Sequence, residues 1–108
     1  MSMNYLLYIH NFTDEEIKKA FGKSLKELRL HLGITQKELS KSSGVSVQSL
    51  SVYERGDNVP TITQAIRLAY YFNLSIDDLI IYGLSMQNHV LQENFATITE
   101  KYDFENKS

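Results

Sequence analysis

The side chains that could act on another molecule are gathered between Thr35 and Gly56, in TQKELSKSSGVSVQSLSVYERG. They are amides (Gln36, Gln48), hydroxyls (Thr35, Ser46, Ser49, Ser51) and cations (Lys37, Lys41, Arg55). Such groups exchange hydrogen bonds and neutralise negative charge. To make or break covalent bonds they need a nucleophile, a base or a metal beside them. The sequence offers little of that kind. It has no cysteine, which excludes thiol nucleophiles, zinc-thiolate centres and disulfide scaffolds together. His10, His31 and His89 share no i, i+3 or i, i+4 spacing, so no helix carries a paired-histidine metal site. A glycine-rich phosphate loop is also absent. The expectation is a binding protein, not an enzyme, with no cofactor and no metal.

The elements that must position these groups belong to one small domain. With 108 residues, 43% apolar and 22% charged, the composition is globular, and a chain of this length buries about two-thirds of its unfolded surface. The apolar run Tyr5 to Ile9 is too short to span a membrane, and no Lys or Arg precedes it as in a signal peptide. A soluble, cytoplasmic protein without a membrane partner is expected.

Helix starts are written as Ser or Thr followed three residues later by an acid or amide: Thr13 with Glu16, Thr35 with Glu38, Thr61 with Gln64, Ser75 with Asp78. In each, the hydroxyl can accept from a first-turn amide while the later side chain reaches back, which is a capping box. Ser46, after Gly44, is a fifth cap. Apolar residues at helical spacing follow, Phe21, Leu25, Leu28 and Leu32, then Ile62, Ile66, Ala69 and Phe72. Gly33, Gly44, Gly56 and Gly83 read as residues just past helix ends, where a left-handed backbone suits glycine. Only Gly22 falls inside a helix. Pro60 precedes a cap, where it costs the helix nothing and extends Val59. The pattern predicts helices at 14–32, 36–42, 47–55, 62–73 and 76–82, an all-α core. Residues 1–12 form an apolar N-terminal arm, either a strand or a segment packed on the core, 13–83 the domain, and 84–108 a C-terminal extension able to serve dimerisation. In that extension Met86, Leu91, Phe95 and Ile98 make a stripe for core or dimer contact, and the spacing of Leu91, Phe95, Ile98 and Tyr102 favours a helix over a strand.

Within Thr35 to Gly56, two short helices flank a turn of three or four residues centred on Gly44, which sets them steeply across one another. Leu39, Val45, Leu50 and Tyr53 are expected to face the core. Val47, Gln48, Ser49, Ser51, Val52 and Arg55 are left for the outside of the second helix. Small and amide-bearing side chains stabilise a surface poorly but fit a groove where base edges are exposed.

In order and spacing, FGKSLKELR, GITQKELSKSSGVSVQSLSVYERG, PTITQAIRLA and NLSIDDLI resemble the phage repressor and Cro type of helix-turn-helix domain. The resemblance runs from Phe21 to Gly83, about sixty residues by the motif order. It implies an all-α, five-helix, repressor-like domain with short extensions, whose second motif helix lies in the major groove of double-stranded DNA. A two-fold dimer of that kind reads half-sites about 34 Å apart, so a homodimer on a palindromic site follows.

Carried over by position, Gln48 is the main base reader, because an amide can bond the N7 and N6 groups of adenine together. Val47 and Val52 occupy neighbouring reading positions, where the thymine methyl is the natural partner, and the site is therefore expected to contain A/T pairs. Ser49 and Ser51 complete the base-reading set. Gln36 would hold a phosphate and brace the reader. Thr35, Lys37, Lys41, Ser46, Arg55, Asn58 and Thr61 complete the phosphate set. Arg29 and Glu54 match a structural ion pair between the first helix and the end of the reading helix. The sequence departs from the family pattern at Ser40 and Ser43, where apolar residues are usual, and its reading helix holds no Lys or Arg before Arg55.

One alternative and the distribution of charge bear on these expectations. A protein-interaction module, such as an antitoxin or an inhibitor of another regulator, would use the helix-turn-helix as a scaffold and the apolar ends for a protein partner. The net charge of -2 would argue against DNA if it were evenly spread. It is not: residues 1–16 carry -3, residues 17–55 carry +5 and residues 56–108 carry -4. The motif sits in the basic stretch between two acidic ends, which predicts weak nonspecific binding and reliance on fit.

Overall fold

The computed structural model describes residues 12–86. These form five helices, and among the described residues there is no strand. The helices are α1 (Asp14–His31), α2 (Gln36–Ser43), α3 (Val47–Glu54), α4 (Ile62–Phe72) and α5 (Ile76–Ser85). All five begin where the cap residues place them.

Local chemistry accounts for those starts. Thr13 and Thr35 close complete capping boxes: the Thr13 and Thr35 amides donate to Glu16 and Glu38 Oε1 at 2.9 and 2.8 Å, and the two glutamate amides donate back to the threonine hydroxyls. Ser46, Thr61 and Ser75 each accept from the amide three residues on, at 3.1, 3.3 and 3.0 Å. The Gln64 side chain does not turn back towards Thr61; it accepts from the Tyr53 hydroxyl on α3. Gly33, Gly44 and Gly56 all take positive φ.

Two expectations are corrected. Gly83 does not end a helix: α5 continues to Ser85, and Leu84 and Ser85 are buried. Among the described residues, the non-glycine residue that takes the left-handed backbone is Asn73, the C-cap of α4, at φ 58°. On α4 the predicted apolar stripe is rotated. Ala65, Leu68, Ala69 and Phe72 are buried, whereas Ile62 and Ile66 are 70% and 54% exposed. Both stripes have helical spacing, so periodicity alone could not choose between them; packing against α2 and α5 does.

The long helix α1 is the centre of the fold and packs chiefly against α5 and α3. It supplies Ala20, Phe21, Leu25 and Leu28 to the interior, where they meet Leu39, Val45, Leu50, Tyr53, Leu68, Phe72, Leu79 and Tyr82 or, for Ala20, Leu84. Two glycines set its closest approaches. A Cβ on Gly22 would lie 2.0 Å from the Tyr53 carbonyl oxygen, and one on Gly83 would lie 1.8 Å from that of Ala20. Backbone therefore meets backbone at both crossings. The expectations for residues 4–11 and for the tail beyond Met86 lie outside the described residues; Met86 itself packs against the core. No helix among the described residues is long and apolar enough to cross a membrane.

One interior group is poorly served. Ser85 is buried and its hydroxyl donates to the Tyr82 carbonyl at 2.7 Å, but the fully buried Ser24 hydroxyl has no hydrogen-bond partner. An unsatisfied buried hydroxyl costs about 1–3 kcal/mol. Ser24→Ala is thus expected to raise stability by about 1 kcal/mol, read as a higher urea midpoint at unchanged slope.

Candidate nucleic-acid interface

Three residues, Gly44 to Ser46, separate α2 from α3. Gly44 sits at φ 81° and ψ 8° and its amide donates to the Ser40 carbonyl, which closes α2 and turns the chain. Val45 is fully buried beneath the turn. Ser46 then caps α3, and its hydroxyl also bonds the Ser49 hydroxyl at 3.0 Å.

On α3, Leu50 and Tyr53 point inward. Val47 and Gln48 are exposed on the first turn, Ser49 is half-buried, and Val52 is half-buried and packed against the core. Ser51 is half-buried too. Its hydroxyl donates to Gln36 Oε1 at 2.9 Å, turned towards α2.

That bond is one end of a chain of contacts. Gln36 Nε2 donates to Glu54 Oε1 at 3.1 Å. Glu54 is gripped by Arg29 through Nε to Oε2 at 2.8 Å and Nη2 to Oε1 at 3.0 Å, while Arg29 Nη1 donates to the Ile34 carbonyl at 2.9 Å. The two charged side chains keep only 11% and 4% of their exposure. The Glu54 hydrogen bonds hold the Arg29 guanidinium above its ordinary pKa against the opposing effect of burial, so it stays charged throughout the physiological range. This network ties α1, the α1–α2 turn, α2 and α3 into one unit. It fixes the Gln36 amide from both sides and presents the first turn of α3 from a rigid base.

Five of the expected phosphate-binding residues fall into two groups. Lys37 and Lys41 are exposed on α2. Arg55, Asn58 and Thr61 are exposed on the connection from α3 to α4, where Arg55 Nε pairs with Asp57 at 2.8 Å and Asn58 Oδ1 accepts from the Val59 amide. Exposed pairs of this kind contribute about 0–1 kcal/mol, so an arriving anion could displace Asp57 at little cost. Thr35 and Ser46 differ from Thr61: all three hydroxyls accept a first-turn amide, but those of Thr35 and Ser46 also donate, to Glu38 Oε1 and Ser49 Oγ.

Helix dipoles separate the elements further. α1, α2 and α5 carry acidic residues in their first turns, which compensate the positive N-terminal ends. The first turns of α3 and α4 carry none. Their N-terminal amides are free of nearby like-signed competition for an external anion.

Sequence reasoning missed the Ser51–Gln36 and Tyr53–Gln64 bonds. A signal for the first was present. Ser51 lies three residues before Glu54, on the same face of the helix, and the resemblance pairs Glu54 with Arg29. The second joins residues on separate helices and left no local mark.

A helix-turn-helix family model matches residues 25–79, from the middle of α1 into α5. The HTH-type transcriptional regulator YgzD of Bacillus subtilis is 33% identical over 55 residues, which span 51% of this chain and 83% of that protein. An HTH-type transcriptional regulator of Archaeoglobus fulgidus is 36% identical over 58 residues, spanning 54% and 83% respectively. The crystal structure of the clp gene regulator ClgR from Corynebacterium glutamicum is similar with a TM-score of 0.59 and 29% identity, covering 78% of this chain and 90% of that one.

Proposed function

The chain belongs to the helix-turn-helix family, and from that premise we propose that it is a sequence-specific DNA-binding transcriptional regulator, a repressor that acts as a cytoplasmic homodimer. Helix α3 enters the major groove with Val47, Gln48 and Ser49 towards the bases. Lys37, Lys41, Arg55, Asn58 and Thr61 lie along the phosphates, with the N-terminal amides of α3 and α4. Two copies related by a two-fold axis read a palindromic site with A/T pairs, and residues beyond Met86 contribute to their association.

The observation that carries this reading is the placement of Val47 and Gln48. They are exposed on the first turn of a helix whose opposite side is locked by Arg29, Gln36 and Glu54. A rigid helix end that shows an amide and a branched apolar group suits an adenine next to a thymine methyl. Ser51 and Val52 contribute from behind, Ser51 by steadying Gln36 and Val52 by packing α3 on the core.

Gln48→Ala tests the reading directly. It is expected to reduce discrimination at one base position of each half-site by about 1–3 kcal/mol and to leave the fold intact, as measured by binding to a set of single-base variants of the selected site. An unchanged base preference contradicts the assignment. Lys37→Ala and Lys41→Ala should instead weaken binding to all sequences alike, each lowering the slope of log K against log salt by about 0.9.

A further inference from the structure

Beside the proposed DNA-binding face lies an apolar trough between α1, α4 and α5, about 210 Å³ in volume. Its walls are Ile17 and Phe21 of α1, Ile62 and Ala65 of α4, Ile76 and Ile80 of α5, with Val59 and Pro60 at one end. A second depression shares Ile17 and Val59 with it and extends it to Asp14, at the start of α1. Almost all of the lining is hydrocarbon, yet it stands open and Val59 is 51% exposed. An open apolar surface of this kind calls for a cover.

We propose that the cover is the chain's own N-terminal segment, Tyr5 to Ile9. Position, chemistry and reach each support that occupant. The described chain begins at Phe12, whose side chain packs on the Ala20 and Leu84 cluster, as does that of Ile80, one of the residues of the trough. The segment that precedes Phe12 is therefore attached close to the trough. Residues 1–11 contain no Lys, Arg, Asp or Glu, and Tyr5, Leu6, Leu7, Tyr8 and Ile9 are apolar without interruption. The tail after Met86 is a poorer match because it carries Glu93, Glu100, Lys101, Asp103, Glu105 and Lys107. Ile9 is three residues from Phe12, and an extended chain advances about 3.3 Å per residue. The segment from Ile9 to Tyr5 can thus cover the length of α1 from Asp14 to Phe21, about 10 Å at helical rise.

Docking there would brace Val59 and Pro60, in the connection that carries Asn58 and Thr61. That consequence for phosphate contact rests on the proposed function; the docking itself does not, and its test needs no DNA.

The absence of cysteine makes the test direct. Leu7→Cys or Ile9→Cys is combined with Val59→Cys in the full chain, a site exposed enough to accept the change, and each double variant is oxidised in dilute solution. The control pairs the same arm cysteine with Tyr70→Cys on the outer side of α4, and dichroism of the reduced proteins verifies folding. The expected result is a disulfide within one chain, seen by intact mass and gel mobility, formed at least tenfold faster with Val59→Cys than with Tyr70→Cys. Disulfides formed between chains would assign the trough to a second copy and overturn the proposal. Equal rates for the two pairs at both arm positions would overturn it as well.

Discussion

Arg29→Ala is expected to destabilise the fold by about 3–5 kcal/mol, a large part of the about 5–15 kcal/mol that holds a domain of this kind. The reason is the partner left behind. Glu54 keeps only 4% of its side-chain exposure, and without the guanidinium its remaining side-chain donor is the neutral amide of Gln36. The Ile34 carbonyl also loses its Arg29 bond, which loosens the turn from α1 into α2. Urea denaturation measures the loss. The double variant Arg29→Met with Glu54→Leu is expected to recover most of it, because well-packed apolar replacements of a buried pair are often neutral or better. Specific DNA binding should not recover with it, since Gln36 loses the carboxylate that positions its amide. Full recovery of both properties would mean that the network serves stability alone.

Gly83→Ala and Gly22→Ala form the second large expectation. In an open helix the change would be favourable by about 1 kcal/mol. Here the new methyl would sit 1.8 Å from the Ala20 carbonyl oxygen or 2.0 Å from that of Tyr53, where ordinary contacts are 3.4–4 Å. The obstructing atoms are backbone, so a helix must move off α1. The cost should reach or exceed the upper end of the about 1–3 kcal/mol usual for overpacking. Gly22→Ala displaces α3 and should weaken specific binding even where the protein is folded; Gly83→Ala displaces α5 and should act through stability. Gly33→Ala is the control. It faces open space at φ +70° and should cost only about 1 kcal/mol. Thermal melts followed by circular dichroism would rank the three, and equal shifts would contradict the close crossings.

What was legible in the sequence follows from how far each signal reaches along the chain. Four helix starts were legible because a cap and its partner are three residues apart, the fifth because Ser46 follows Gly44, and the glycine turns because a left-handed backbone is a local demand. Gly83 carries no such local signal. Its lack of a side chain serves α1, more than sixty residues away in sequence by the position of Ala20, and a glycine at a helix crossing resembles one at a helix end. Ile62 and Ile66 share the helical spacing of Ala69 and Phe72 yet lie outside, because α4 has apolar residues on both sides and only its neighbours select the buried face. At the site, the resemblance supplied the Arg29 and Glu54 pair. The turn of Ser51 away from the reading surface depended on how α2 crosses α3. Exposed Val47 and Gln48 were legible from the helical spacing that buries Leu50 and Tyr53.

The central claim, that α3 reads a defined sequence of double-stranded DNA, is tested most directly by selecting bound duplexes from a random pool at two salt concentrations, with the mass of the complex measured alongside. The account predicts a palindromic site with A/T pairs, half-sites about 34 Å apart, two chains per duplex, and a preference that persists as nonspecific binding falls with salt. Failure to enrich any sequence, even at low salt, would contradict it.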